Sequence, residues 1–228
     1  MRALILAGGY GSRLGELTKI LPKPLIEVGG VSIVDRTISK LIEVGISEIT
    51  INTHYLSDMV ADHLMNKWTS LKLRITFEPK LLGTAGTLKN NIEWLAVDDF
   101  VVMHGDNFFA DSLFELTKGS IAPGNLLRAC TFYSNKPQEC GIFTLSSEKR
   151  ILRFDEKKQN VKSNLANAAI YRFSKEIGGL VNALDTDEND ISRNLIPKIL
   201  NKIELVELKG CFVDIGTEQG LIEANSNF

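Results

Sequence analysis

Short apolar runs alternate with segments of helical spacing through the first half of the chain. The predicted strands are Ala3–Ala7, Glu48–Asn52, Leu73–Phe77 and Phe100–His104. The predicted helices between them are Val31–Val44, Leu56–Met65 and Thr87–Leu95. In the first of these helices the apolar residues share one stripe, and Gly45 follows where a C-terminal cap belongs. This alternation predicts βα units, and so a Rossmann-like three-layer α/β/α fold with a mostly parallel central sheet.

The pattern changes near Asn125, where strand-like stretches separated by turns replace the alternation. The predicted strands there are Leu126–Tyr133, Gly141–Leu145, Ile151–Phe154 and Ala166–Phe173. Then come a helix at Arg193–Leu200, strands at Glu204–Leu208 and Phe212–Asp214, and a closing helix at Thr217–Ala224. Because no linker or repeat separates the two patterns, we predict a single domain over residues 1–228. Its parts are about 1–115 and about 116–228, and the second contains a small antiparallel insertion.

The composition is that of an ordinary soluble globular protein, with 44% hydrophobic residues, 24% charged residues and a formal net charge of -2. Nothing in it supplies the basic surface that a nucleic-acid partner requires. The three cysteines contain no C-x-x-C pair, which argues against a disulfide framework and favours a reducing cytoplasm. The apolar run Ala3–Ala7 is too short for a signal sequence or a membrane span, so no membrane partner is expected. A homo-oligomer stays open.

A glycine-rich segment directly follows the first predicted strand. It reads Leu6-Ala7-Gly8-Gly9-Tyr10-Gly11-Ser12-Arg13-Leu14, and Pro22-Lys23-Pro24 comes soon after it. Glycines let backbone N–H groups approach phosphate oxygens, while Arg13 and Lys23 supply the positive charge that a triphosphate requires. The segment is not a dinucleotide fingerprint, because Leu14 takes the third glycine position, and it is not a Walker loop. The structural alternative is a glycine turn followed by two exposed basic side chains.

Two aspartates lie at the ends of predicted strands. Asp106 follows Phe100–His104, and Asp214 ends the short strand Phe212–Asp214. In an open α/β sheet the carboxyl ends of the strands are where ligands bind, and Mg²⁺ takes one or two carboxylates together with substrate phosphates. Taken alone, Asp106 is more simply a turn residue, and Asp214 is equally well a helix cap.

Further motifs, in order along the whole chain, resemble those of the nucleotidyltransferases that make NDP-sugars. They are Leu82-Gly83-Thr84-Ala85-Gly86, Gly105-Asp106-Asn107, Cys140-Gly141-Ile142, Glu156-Lys157, Asn167-Ala168-Ala169-Ile170-Tyr171 and Val213-Asp214-Ile215-Gly216-Thr217. Six matches in the right order are far more specific than any one of them. The resemblance implies an enzyme that joins a nucleoside triphosphate to a sugar-1-phosphate and releases pyrophosphate.

The resemblance also implies a role for each candidate residue. Arg13 would bind the leaving pyrophosphate, Lys23 the α-phosphate, and Asp106 with Asp214 a catalytic Mg²⁺ ion. The residues implied in nucleotide binding, in a nucleotide-binding half of about 1–115, are Leu6, Ala7, Gly8, Gly9, Gly11, Ser12, Arg13, Lys23, Glu78, Gly83, Thr84, Ala85 and Asp106. Those implied in sugar-phosphate binding are Asn107, Gly141, Glu156, Lys157, Asn167 and Tyr171.

Three positions depart from the family's usual motifs. Lys158 replaces the proline that usually follows the motif lysine, so the turn there is expected to differ. Ala169 stands where glycine is usual, in the segment that lines the sugar pocket. Glu78 replaces a glutamine found in relatives that bind thymine or uracil, which argues against those bases.

The compact length and the Leu82–Gly86 motif resemble the branch that transfers guanylyl groups to mannose- or heptose-1-phosphate. Uridylyl, thymidylyl and cytidylyl transfer stay open, including transfer to a non-sugar phosphate. A nicotinamide oxidoreductase is disfavoured by the missing third glycine. A non-catalytic sensor or scaffold is disfavoured because the basic and acidic motif residues are all present.

Overall fold

The computed structural model describes residues 1–227. The strands are β1 (Arg2–Leu6), β2 (Glu27–Val28), β3 (Val31–Ser32), β4 (Glu48–Thr53), β5 (Lys72–Phe77), β6 (Phe100–His104), β7 (Asn107–Phe109), β8 (Leu127–Tyr133), β9 (Gly141–Leu145), β10 (Ile151–Glu156), β11 (Leu165–Phe173), β12 (Ile203–Glu207) and β13 (Phe212–Asp214). The α-helices are α1 (Leu17–Ile20), α2 (Ile33–Glu43), α3 (Ser57–Lys67), α4 (Thr84–Leu95), α5 (Phe114–Thr117), α6 (Gly178–Asn182) and α7 (Glu218–Ser226).

The chain forms two compact units, each assembled from separate stretches of sequence. The first contains residues 1–81, 102–114 and the C-terminal segment from Gly210. The second contains residues 82–101 and 115–209. One boundary between the units lies at residue 115, while the segments 82–101 and 210–227 are grouped with residues distant along the chain. The single domain with halves of about 1–115 and 116–228 stays a prediction.

The first unit is built on a parallel sheet. Its strands β1, β4 and β5 lie in that order and pair in parallel, and the part of β6 that belongs to this unit, from Val102, neighbours β1. Helix α2 buries Ile33, Val34, Ile38 and Leu41 of the predicted apolar stripe, whereas Ile42 is exposed. Ser32 caps the helix by accepting a hydrogen bond from the Asp35 N–H at 3.2 Å. The mixed α/β fold with a mostly parallel central sheet is therefore confirmed for this chain.

A second layer of the first unit joins distant parts of the sequence. Strands β7 and β13 pair antiparallel and place Asp214 opposite Asn107. Their apolar faces, together with the residues that follow the glycine segment, form one buried cluster made of Leu14, Ile26, Val28, Ile33, Phe108, Val213, Ile215 and Ala224. Packing of this cluster fixes the glycine segment, the Lys23 turn and the end of the chain relative to one another.

The second unit carries the strands of the predicted insertion. Strand β11 pairs antiparallel with β8 and β9, and β9 pairs antiparallel with β10. Strand β12, which the sequence analysis placed at Glu204–Leu208 without a direction, runs parallel to β8. Parallel neighbours cannot be joined by a tight turn, and strands β9, β10 and β11 lie between β8 and β12 along the chain.

The predicted helix at Arg193–Leu200 is wrong as a regular α-helix. Residues Ile191–Leu195 form a π-helical turn, and Ile196–Lys202 form 3-10 turns in which Ile199 leaves the helical region. Pro197 explains the change, because it lacks the N–H that an α-helix would use at that position.

The described residues include no helix long and apolar enough to cross a membrane. All three cysteines are free thiols, and Cys130 is buried.

Candidate active site

The glycine segment begins where β1 ends. Ala7 and Gly8 are buried, whereas Gly9, Ser12 and Arg13 are exposed. Gly11 has φ +67°, and a Cβ there would lie 2.9 Å from Thr18 Cγ2 and 3.2 Å from Lys23 Cβ. Only glycine suits this turn, because it combines left-handed backbone with a close approach to the Lys23 segment.

Lys23 is a buried cation at the start of a short 3-10 turn, Lys23–Leu25. Its side chain is only 7% exposed, so its charge needs close partners. Its Nζ lies 2.5 Å from Asp106 Oδ2 and 3.6 Å from Asp214 Oδ1. The Pro-Lys-Pro motif thus points its lysine at both predicted aspartates.

Each aspartate reaches this point by a specific backbone route. Gly105 donates its N–H to Leu6 O at 2.8 Å, and a Cβ there would lie only 3.0 Å from Ile5 Cγ2. Glycine therefore lets the end of β6 lie against the end of β1, which brings Asp106 beside the glycine segment. Asp214 arrives through the β7–β13 pair, and the N–H of Ile215 donates to Asp106 O at 3.2 Å.

Arg13, Lys23, Asp106 and Asp214 form one charge cluster in the first unit. Arg13 Nη2 lies 3.3 Å from Asp214 Oδ2, on the exposed side of the cluster. Burial alone would raise the pKa of Asp106, but the Lys23 ammonium, with smaller contributions from His104 and Arg13, outweighs it and holds that pKa below its usual value. Asp106 is therefore ionised at neutral pH.

Gly216 closes the cluster on one side. Its N–H donates to Asp214 Oδ1 at 2.7 Å, which orients that carboxylate. A Cβ at Gly216 would lie 2.7 Å from Asp214 Oδ1 and 2.9 Å from Lys23 Nζ, and it would also crowd the Arg13 guanidinium. The glycine of the Val213–Thr217 motif is thus required by space around the charges rather than by backbone conformation.

The two aspartates suit a hard divalent cation. Their carboxylate oxygens converge on a single cationic group, Lys23 Nζ, and Mg²⁺ accepts one or two carboxylates when substrate phosphates complete its coordination. No cluster of three or more His, Cys, Asp or Glu side chains suited to a metal occurs among residues 1–227. Any ion at this pair would therefore take its remaining ligands from substrate or water.

Glu78 lies at the end of the parallel sheet beneath the glycine segment. It is 2% exposed, and its Oε1 accepts a hydrogen bond from Asn52 Nδ2 at 3.1 Å. A cleft of about 310 Å³ opens beside the same segment. It is lined by Tyr10, Ser12, Gly15, Glu16, Thr18, Lys19 and Tyr55.

Three residues implied in nucleotide binding lie in the second unit, at the start of α4. The Ala85 N–H donates to Asn189 O at 2.8 Å, and Thr84 Oγ1 accepts from the Ile191 N–H at 2.8 Å. Gly83 has φ +76°, and a Cβ there would overlap the backbone of Asn189. The motif thus fastens the start of α4 to the loop 189–191, a use of these groups that sequence reasoning did not foresee.

Asn167 and Tyr171 flank a bulge in β11. Asn167 Nδ2 donates to Tyr171 Oη at 2.6 Å and to Ser192 Oγ at 3.3 Å, while Asn167 Oδ1 accepts from the Ala169 N–H at 3.1 Å. Ala169 has φ +52°, which explains why glycine is usual at this position. Burial raises the pKa of Tyr171, so its hydroxyl stays protonated at neutral pH.

Glu156 and Lys157 lie at the end of β10. Strand β10 extends to Glu156, two residues beyond its predicted end at Phe154, and Asp155 is buried and forms ion pairs with Arg153 and Lys158. Lys158 forms an ion pair with Asp155 at 2.9 Å and Lys157 has φ +50°, so the turn differs where the family has proline.

The charged neighbours of Glu156 include residues that the sequence did not single out. Burial raises the pKa of Glu156, Lys157 and Arg193 oppose the shift, and Asp190 adds to it. A Cβ at Gly141 would lie 2.5 Å from Glu156 Oε2, so glycine leaves room for this carboxylate. Asp190 and Arg193 lie outside the recognised motifs, and no local signal marked them.

The structure thus gathers the predicted residues into two sets, one in each unit. The first unit holds the charge cluster together with Leu6, Ala7, Gly8, Gly9, Gly11, Ser12, Glu78 and Asn107. The second unit holds Gly83, Thr84, Ala85, Gly141, Glu156, Lys157, Asn167 and Tyr171. Asn107 was implied in sugar-phosphate binding, but it pairs with Asp214 in the first unit and is buried.

Comparison with known proteins agrees with this architecture. The nucleotidyl transferase family model matches residues 2–228, so the chain belongs to that family, and the resemblance drawn from its motifs is confirmed. Glucose-1-phosphate adenylyltransferase of Fervidobacterium nodosum is 31% identical, over 97% of this chain and 60% of that protein. The catalytic subunit beta of mannose-1-phosphate guanylyltransferase of Xenopus tropicalis is 30% identical, over 95% of this chain and 61% of that protein.

The chain thus spans about three fifths of the length of these curated relatives. Among solved structures, a candidate glucose-1-phosphate thymidylyltransferase of Bacillus anthracis superposes with a TM-score of 0.89 at 26% identity, covering 99% of this chain and 94% of that one. The names of these relatives specify adenylyl, guanylyl and thymidylyl transfer. The relatives therefore share a family but not a nucleotide base.

Proposed function

We propose that this protein transfers a nucleotidyl group from a nucleoside triphosphate to a sugar-1-phosphate and releases pyrophosphate. The observation that carries the proposal is the charge cluster, in which a buried lysine lies 2.5 Å and 3.6 Å from two aspartates while an exposed arginine lies 3.3 Å from the second. Both substrates are anions that repel each other. A site that brings them together must therefore neutralise negative charge and hold it in place.

The bond changes require little proton transfer. An ionised oxygen of the sugar-1-phosphate attacks the α-phosphorus, a new P–O bond forms, and the bond to the β-phosphate oxygen breaks with its electron pair leaving on pyrophosphate. Because the nucleophile is already ionised, no general base is needed. Lys23 neutralises the charge on the reacting α-phosphate, and exposed Arg13 binds the departing pyrophosphate.

Asp106 and Asp214 would hold Mg²⁺, which supplies charge neutralisation and orients the phosphates when bound. In the protein itself Asp106 is held in the ionised state that this requires, and Asp214 is held in a fixed orientation. Lys23 keeps the pKa of Asp106 low, and the Gly216 N–H fixes Asp214 Oδ1 at 2.7 Å.

For the substrates we propose GTP and a mannose- or heptose-type 1-phosphate. The buried carboxylate of Glu78 lies beneath the glycine segment, and a carboxylate only accepts hydrogen bonds when it is ionised. Guanine offers two adjacent donors on its N1 and N2 atoms, whereas adenine and uracil do not. The similarity to a mannose-1-phosphate guanylyltransferase supports the same choice.

In the second unit we propose that Glu156, Asn167 and Lys157 contact the sugar-1-phosphate. Asn167 is orientated by Tyr171 at 2.6 Å and Ser192 at 3.3 Å, and the exposed Lys157 is free to meet a phosphate. Burial partly desolvates the Glu156 carboxylate. A sugar hydroxyl that donates a hydrogen bond to it would therefore stabilise it.

A substrate panel tests the proposal. Purified protein with Mg²⁺ is incubated with each of four nucleoside triphosphates and a set of sugar-1-phosphates, and pyrophosphate is measured. We expect release that depends on both substrates and is fastest with GTP. Lys23→Ala should lower turnover by about two to three orders of magnitude, as the loss of one preorganised electrostatic donor does. Nucleotide binding without pyrophosphate release for any pair would indicate a non-catalytic nucleotide sensor instead.

A further inference from the structure

Asn52 connects the glycine segment to Glu78, although no sequence motif singled it out. It lies near the end of β4, where it is the register partner of Leu6 on β1. Its side chain is buried and makes two buried hydrogen bonds. Asn52 Oδ1 accepts from the Ala7 N–H at 2.7 Å, and Asn52 Nδ2 donates to Glu78 Oε1 at 3.1 Å.

The glycine segment rests directly on this amide. A Cβ at Gly8 would lie 2.8 Å from Asn52 Nδ2 and 3.3 Å from Leu81 Cδ2. Real Cβ atoms do not approach that closely, so this contact requires glycine at position 8. The first turn of the segment is therefore shaped by the position of the Asn52 side chain.

Two further hydrogen bonds, both made by His54, hold the same segment at Tyr10. His54 Nδ1 lies 2.7 Å from Glu78 O, and His54 Nε2 lies 2.8 Å from Tyr10 Oη. A carbonyl only accepts, so Nδ1 carries the proton in the neutral ring and Nε2 accepts from the Tyr10 hydroxyl. Glu78 thus anchors the segment twice, through its side chain and Asn52 and through its backbone and His54.

We propose that Asn52 is a positioning residue for the triphosphate-binding segment, and that Glu78 acts on the backbone at Ala7 and Gly8 through it. An amide can accept from Ala7 and donate to the Glu78 carboxylate at the same time, whereas aspartate cannot donate and leucine can do neither. The functional part of this inference rests on the proposed nucleotidyl transfer. The geometric part does not.

Hydrogen exchange tests the geometric part without any substrate. In Asn52→Leu the Ala7 N–H loses its acceptor, so exchange at residues 7–11 should become faster by about tenfold or more. Asn52→Asp places a second carboxylate against Glu78 and should also accelerate exchange. Adding Glu78→Gln to Asn52→Asp reverses the direction of that hydrogen bond, because the new amide at position 78 donates to the new carboxylate at position 52, which still accepts from Ala7. Exchange should return to the wild-type rate.

Thr50→Val is the matched control. It removes a partly buried side-chain hydrogen bond from the same strand, between Thr50 Oγ1 and Arg74 O at 3.1 Å, without touching the glycine segment. It should leave exchange at residues 7–11 unchanged. If Asn52→Leu does not fold, the comparison of Asn52→Asp with the double variant carries the test alone. Unchanged exchange in Asn52→Asp, or no recovery in the double variant, would overturn the inference.

Inhibition by inorganic tripolyphosphate tests the functional part, because this probe has no base for Glu78 to contact. Asn52→Asp should raise its inhibition constant and the KM for the nucleoside triphosphate by about 10- to 100-fold, as expected for misplaced phosphate donors, with the KM for the sugar-1-phosphate within about twofold. The double variant should recover most of the loss in tripolyphosphate inhibition. Its KM for GTP should stay raised, because Glu78→Gln also removes the carboxylate that we propose contacts guanine. If wild-type protein neither binds tripolyphosphate nor turns over, the proposed function fails while the exchange experiment still decides the role of Asn52. Altered exchange with unaltered inhibition would contradict the link to phosphate binding.

Discussion

Gly216→Ala tests whether the spacing of the charge cluster matters for turnover. The new Cβ would lie 2.9 Å from Lys23 Nζ, whereas ordinary contacts begin at 3.4 Å, so the ammonium must retreat by about half an ångström. It would also lie 2.7 Å from Asp214 Oδ1. Displacements of this size at a reacting phosphate cost up to about 100-fold in rate, and we expect kcat to fall by about 10- to 100-fold.

The same substitution should leave folding almost unchanged. Gly216 lies outside the left-handed region, and two of the three crowded groups are the ends of flexible side chains. We expect the melting temperature to change by less than about 2 °C, equivalent to under 1 kcal/mol for a chain of this size. Gly179→Ala is the control for turnover, because a Cβ there meets nothing within 4 Å. It should leave kcat unchanged and raise the melting temperature slightly, since alanine is a better helix former than glycine in α6.

A double variant shows whether Gly216→Ala acts through Lys23. If the methyl group lowers turnover by displacing the ammonium, adding it to Lys23→Ala should cost little further activity. Steady-state kinetics with pyrophosphate detection and thermal melts measure both quantities. Normal turnover in Gly216→Ala, or losses that multiply fully in the double variant, would refute this account of the cluster.

Two further predictions concern stability and one concerns pH. Ala169→Gly should stabilise the fold by about 0.5–1 kcal/mol, seen as a higher melting temperature, because alanine at φ +52° is strained where glycine is not; an unchanged melting temperature would contradict this. Asp35→Ala should destabilise by about 3–5 kcal/mol in urea unfolding, because the buried carboxylate accepts hydrogen bonds from His63, Lys67 and Trp68. Burial opposes ionisation of Asp35, but these hydrogen bonds and one from Ser32 lower its pKa below the usual value. The stability of the wild-type protein should therefore fall as the pH drops below about 4. The stability of Asp35→Ala should fall less over the same pH range.

Much of the fold could be predicted from the sequence because the relevant signals are local. The apolar run at Phe100–His104 became β6 with the same bounds, and the stripe in Val31–Val44, apart from exposed Ile42, became the buried face of α2. Strands β9 and β13 also match their predicted bounds. The direction of β12 could not be predicted in this way, since parallel or antiparallel pairing depends on the path of the chain rather than on the strand's own residues.

The candidate site likewise contains residues that local motifs mark and residues that only the structure reveals. Arg13, Lys23, Asp106 and Asp214 stand in motifs, and the structure joins them through ion pairs of 2.5 Å, 3.3 Å and 3.6 Å. Asn52 was missed because the sequence pattern shows it only as one more residue of a strand. The two hydrogen bonds described above connect it to residues 45 and 26 positions away, which no local motif reveals. Ala169 was noted as a departure from the family, but only its φ of +52° shows why glycine is usual there.

The most direct test of nucleotidyl transfer at the charge cluster is ³¹P NMR of one reaction in which the phosphate of mannose-1-phosphate carries ¹⁸O. With GTP and Mg²⁺ we predict one pyrophosphate for each sugar nucleotide formed, with the label retained on the sugar-bearing phosphorus and absent from pyrophosphate. Lys23→Ala should slow both signals equally. Labelled pyrophosphate, or GTP consumed to orthophosphate without a sugar nucleotide, would contradict the account.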